Sequence, residues 1–160
     1  MDQKKLARLL KVMIIGAALC MVLVYAAVVP SLGQQLVVEG GPGYEQFFTP
    51  WLIFVSVTAL PVLAALVLAW IIAGNIGRGD SFCMQNSKLL KVIAILAAAD
   101  AAYFFIGNIV MMFLGMNHPG IVLFSLVPCF IGAGICVIAA ALSHYTYKAA
   151  QLQEQSDLTI

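Results

Sequence analysis

Asp100 is the residue whose type and place most suggest chemistry. It is the one acid in the 23-residue apolar run from Val92 to Leu114. Tyr103 follows at i+3, Gly107 at i+7 and Asn108 at i+8, so one region of a helix surface would carry a carboxyl, a phenol and an amide. That group suits a proton or cation site, or a ligand contact. The alternative is an acid that fixes helix packing through hydrogen bonds. No Lys or Arg falls inside any apolar run to pair with Asp100, so a neutral or water-linked acid is expected. The four cysteines, Cys20, Cys83, Cys129 and Cys136, form no C-x-x-C pair. None falls in a segment expected to face the oxidising side, which disfavours redox chemistry. His118 and His144 lie on opposite sides with no paired ligand spacing, so no metal is expected. A P-loop, a dinucleotide glycine pattern and a nucleophile elbow are absent, so neither cofactor nor enzymatic activity is expected.

The elements that would position Asp100 follow from composition. Of 160 residues, 63% are hydrophobic and 9% charged, against roughly 45–50% and 25% in an average domain. That excludes a soluble globular enzyme, a disordered chain and a direct nucleic-acid binder with a basic face. Four uncharged or nearly uncharged runs remain, at residues 12–29, 51–73, 92–114 and 121–142. A bilayer core of roughly 30 Å needs about 20 apolar residues in a helix. Helices are required because backbone polar groups must pair within the segment, and the runs do not alternate as a barrel would. The expected fold is all-α: residues 1–160 as a single transmembrane domain, an integral membrane four-helix bundle of two antiparallel hairpins. The first run reads as a true span. It is long for a signal peptide, and Leu19 before Cys20 is too bulky for a lipoprotein cleavage site.

Charge placement gives orientation. Lys4, Lys5, Arg8 and Lys11 precede span one, Arg78, Lys88 and Lys91 separate spans two and three, and Lys148 follows span four. The segments Pro30 to Pro50 and Gly115 to Gly120 carry no Lys or Arg. Both termini, the loop at 74–91 and the tail at 143–160 are therefore expected in the cytoplasm. Lys4, Lys5, Arg8 and Lys11 form a basic helical face that would anchor to anionic lipid, with a partner-binding role second. Gly40-Gly41-Pro42-Gly43 must turn, and Tyr44, Phe47, Phe48 and Trp51 suit an interfacial aromatic belt. In span four, Ser125, Cys129, Gly132, Cys136, Ala139 and Ser143 make a small-residue packing stripe, for which Gly16 and Cys20, or Ala65, Ala69 and Ala73, are candidate partners. Leu9-Leu10-Lys11-Val12 recurs as Leu89-Leu90-Lys91-Val92, from a duplication or from the shared needs of a span's basic end.

Two stretches are more specific. One is the loop from Gly77 to Lys91, with Gly79, Ser81, Phe82 and Asn86. The other is the tail, with Asp157, Leu158, Thr159 and Ile160. With four spans in this length, the chain resembles a bacterial family of small membrane proteins known as a domain of unknown function (family two-nine-seven-five). Cys83 stands where that family often has Ser or Thr. The resemblance implies a multi-pass protein of the bacterial inner membrane with no implied enzyme activity. Members are often encoded beside a small helix-turn-helix regulator, which implies a cytoplasmic partner of that kind. Phe82, Asp157, Leu158, Thr159 and Ile160 are the candidate partner-binding residues. Ser81 would cap a helix running from Phe82 into span three, and the tail would either pack back on Phe82 or bind the partner. The reading is therefore a non-enzymatic signalling partner of a transcription regulator. The alternative is a small transporter or ligand-binding bundle using Asp100, Tyr103 and Asn108 across the dimer of a homo-oligomer.

Overall fold

Four long helices build the chain, and the computed structural model describes residues 2–157. They are α1 (Gln3–Gly40), α2 (Glu45–Arg78), α3 (Met84–Phe113) and α4 (Pro119–Asp157). Each is long and apolar enough to cross a bilayer, and little of its most apolar stretch is buried within the fold, so lipid must cover the rest. The described residues contain no strand. The chain is an all-α protein with four membrane-spanning helices.

The helices outrun the apolar runs. The segment read as an outer loop, Pro30 to Pro50, is helical as far as Gly40 and again from Glu45. The prolines do not break it, for local reasons. Before Pro30, residues Val24–Val28 widen into a π turn in which the Val29 N–H reaches Val24 O, so the i→i−4 ladder has already shifted where Pro30 lacks a donor. Pro50 lies inside α2 as its sixth residue and the helix continues through it, while Pro119 begins α4. The connection between α2 and α3 shortens to residues 79–83. Gly79 takes φ of 101° and donates to Ile76 O at 3.2 Å, while the Asp80 N–H reaches back to Asn75 O at 3.1 Å. This is a Schellman ending, which needs a residue without Cβ at Gly79.

α3 starts at Met84, two residues later than expected, and its cap is Cys83 rather than Ser81. Cys83 Sγ accepts from Asn86 N–H at 3.4 Å. Sulfur is a weak acceptor, and a hydroxyl in the same place is a strong one. Cys83→Ser is expected to stabilise the protein by about 0.5–1 kcal/mol. A raised thermal midpoint of the detergent-purified protein checks this; an unchanged or lowered midpoint refutes it.

Consecutive helices are neighbours: α1 packs on α2, α2 on α3, and α3 most extensively on α4. α1 and α4 do not pack on each other to a comparable extent. The small-residue stripe of α4 faces α3, not the candidate surfaces in spans one and two; Gly16 and Cys20 are exposed. Its partners on α3 recur every seventh residue as Ser87, Ala94, Ala101 and Asn108, the period of a left-handed helix pair. A Cβ on Gly132 would lie 3.1 Å from Ala101 Cβ, so the backbones meet there closely. At the end of the seam Ser87 and Ser143 exchange bonds: each hydroxyl donates to the other's carbonyl, at 2.9 and 2.8 Å.

Candidate functional site

Two helices lose their regularity around one cavity, and a third carries a proline there. α1 carries the π turn at Val24–Val28. α2 breaks at Thr58, whose N–H bonds to Val55 O at 3.1 Å, three residues before Pro61 removes a further donor. α4 contains Pro128. Between them lies a cavity of about 320 Å³, lined by Tyr25, Thr58, Asp100, Phe104, Pro128 and Cys129 among others. Every helix contributes to its wall, and no Lys or Arg does.

The polar groups of this cavity can be accounted for one by one. Thr58 is buried and its hydroxyl donates to Val55 O at 2.6 Å, healing the break in its own helix. Its oxygen stands 2.6 Å from the Tyr25 hydroxyl. With the Thr58 proton already committed, Tyr25 is the donor of that bond. This ties the π turn of α1 to the break in α2. Cys129 Sγ donates to Ala101 O at 3.5 Å. Asp100 is the exception, since its Oδ1 is buried and has no hydrogen-bond partner. A buried polar atom without a partner costs roughly 1–3 kcal/mol, so such atoms are rare unless a role retains them.

Of the two residues singled out with Asp100, Tyr103 and Asn108, the structure brings neither to the cavity wall. Tyr103 leans on the Phe54 ring, centroids 5.2 Å apart, and its hydroxyl donates to Phe54 O at 3.3 Å. Asn108 is buried at the far end of α3. It donates to Phe104 O at 2.8 Å and accepts from Asn117 Nδ2 at 2.9 Å, pinning the α3–α4 turn. The residues the sequence argument missed are Tyr25 and Thr58. Their signal was a hydroxyl a few residues ahead of a proline in each of the first two apolar runs, Tyr25 alone in its run and Thr58 accompanied by Ser56.

Elsewhere, Phe82 is 60% exposed in the short α2–α3 connection. Asp157 ends α4, and Leu158, Thr159 and Ile160 lie outside the described residues, as does any packing of the tail on Phe82. Lys4, Lys5 and Arg8 are exposed on the first turns of α1, and Lys11 Nζ sits 5.1 Å from the centroid of the Trp70 ring. The belt aromatics Tyr44, Phe47, Phe48 and Trp51 line a second cavity of about 360 Å³ at the opposite end. Gly33 is buried there under Phe48 and Trp51. Among the described residues no group of three or more His, Cys, Asp or Glu side chains could hold a metal ion.

Residues 35–160 match a family described as "Protein of unknown function (DUF2975)". A curated relative is an uncharacterized membrane protein, YoaS of Bacillus subtilis (strain 168). It is 28% identical over 110 residues, covering 68% of this chain and 69% of the relative. No solved structure matches the chain.

Proposed function

Because the chain belongs to the DUF2975 family of unknown function, we infer its role from its own cavity: it is a non-enzymatic membrane bundle that binds a small ligand between its helices at Asp100. One observation carries this reading, the buried and unpartnered Asp100 Oδ1 on the cavity wall. An acceptor among apolar walls, with no protein cation beside it, complements a ligand bearing an N–H donor on an apolar body, such as a lipophilic amine. The cavity of about 320 Å³ falls at the small end of the roughly 300–1,000 Å³ typical of ligand sites. Broken helices support the same reading, since interrupted spans recur where membrane bundles hold substrates. In the proposed orientation the end carrying the basic residues faces the cytoplasm.

Phenethylamine is a suitable probe. It is expected to raise the thermal midpoint of the detergent-purified protein in a saturable way, since a ligand at about 100 times its Kd adds about 2.7 kcal/mol to the folded state. Asp100→Asn is expected to fold with a midpoint near wild type and to lose the shift. An equal shift in the Asn variant removes Asp100 from the site, and no shift by any of a series of aryl- and alkylamines refutes the amine reading.

A second reading, a cytoplasmic partner of a helix-turn-helix regulator, draws on the exposure of Phe82. A large aromatic ring left in water on a short loop is a common docking element. The same preparations test it. A co-expressed regulator should co-purify with wild type and be lost on Phe82→Ala or on deleting Asp157 to Ile160; retention in both variants would sink it.

A further inference from the structure

Where α1 and α2 meet at the basic end, four cations converge on one groove. Lys4, Arg8 and Lys11 stand on α1 at i, i+4 and i+7, and Arg78 stands on the last turn of α2. They line a groove of about 470 Å³ whose floor is Ala7, Gly74 and Gly77. The floor is shallow because the helices touch: a Cβ on Gly77 would lie 3.1 Å from Ala7 Cβ, and Ala7 is buried. The Arg78 guanidinium folds back along α2, its Nη2 3.9 Å from where Gly74 would carry a Cβ. None of the four cations makes an ion pair with a described residue. Lys5, one residue along the same turn, does not line the groove.

We propose that this groove binds the phosphate of an anionic phospholipid headgroup. Four unneutralised charges around one floor repel each other until an anion sits among them. A phosphate accepts the fork of Arg78 and the ammonium groups opposite it. Free phosphate and a lipid headgroup share that chemistry. The surroundings favour the lipid: Val12, Met13 and Ile71, further along the same two helices, are exposed apolar side chains. Acyl chains below a seated headgroup would cover them, which a free anion would not. The site is separate from the Asp100 cavity and does not depend on that reading.

Native mass spectrometry of the full chain with phosphatidylglycerol tests the proposal. Wild type is expected to hold one lipid per chain after mild activation. Arg78→Gln is expected to weaken that binding about tenfold, the loss of one charge-assisted contact. Lys5→Gln removes the same charge from the same end but lies off the groove, and is expected to bind as wild type does. Equal weakening by both variants would reduce the effect to general surface charge and overturn the site. Equal retention of phosphatidylcholine would overturn it as well. An arm with inorganic phosphate separates the sources: displacement of the lipid at millimolar phosphate would assign the groove to the free anion instead.

Discussion

Gly107→Leu is expected to cost about 2–3 kcal/mol of stability and to drive Phe54 out of its seat. A Cβ added at Gly107 would fall on the Phe54 ring itself, so no rotamer of the new side chain fits beside it. Phe54 is held on its other sides as well. It stacks on Phe104, centroids 5.8 Å apart and planes 4° apart, and it meets the Tyr103 ring at 5.2 Å. It is the buried aromatic of the contact between α2 and α3, four residues before the Thr58 break. Displacing it should also loosen the Thr58 turn and the Tyr25 bond that depends on it. The checks are the thermal midpoint in detergent and the SDS concentration that unfolds the helices. Gly107→Ala is the milder version, expected to move both the same way. A leucine variant that melts with wild type would show that Phe54 is not held as described.

Asn86→Ala is expected to be comparably damaging, about 2–4 kcal/mol, through lost hydrogen bonds. Asn86 is 1% exposed. Its Nδ2 donates to Asp80 O at 3.0 Å and Ser81 O at 3.1 Å, and its Oδ1 accepts from Asn75 Nδ2 at 2.7 Å. Both amide protons and the amide oxygen are therefore used. Truncation strands the buried Asn75 amide and two loop carbonyls at once. Asn86→Asp should fare little better, because an ionised carboxylate cannot donate to the two carbonyls. Faster proteolysis at residues 79–83 and a lowered midpoint would confirm the link between α2 and α3. A variant within about 0.5 kcal/mol of wild type, the scatter of ordinary surface changes, would refute it.

Much of the architecture was legible because lipid imposes a simple rule: a spanning segment must be long, apolar and helical. That rule located the four helices, and charge gathered their ends. It could not set their lengths, because past the hydrocarbon a helix continues or stops on local capping, as Gly79 and Cys83 show. Asp100 was legible as an expensive residue. Its neighbours were not, because the cavity is assembled across helices. Tyr25 and Asp100 are 75 positions apart, and nothing in one strip of sequence says which faces meet. The small-residue stripe of α4 was visible for the same reason that its partner was not. A stripe shows that something comes close, and only packing shows that it is α3.

α1 and α4 both line the Asp100 cavity but do not pack on each other as consecutive helices do. On the proposed reading, a ligand entering between these two helices would come from the hydrocarbon, dissolving in the membrane first. Its local concentration is then set by its oil–water partition coefficient rather than by its level in the surrounding medium. Potency within a chemical series should rise with lipophilicity even where the groups meeting the carboxyl stay the same.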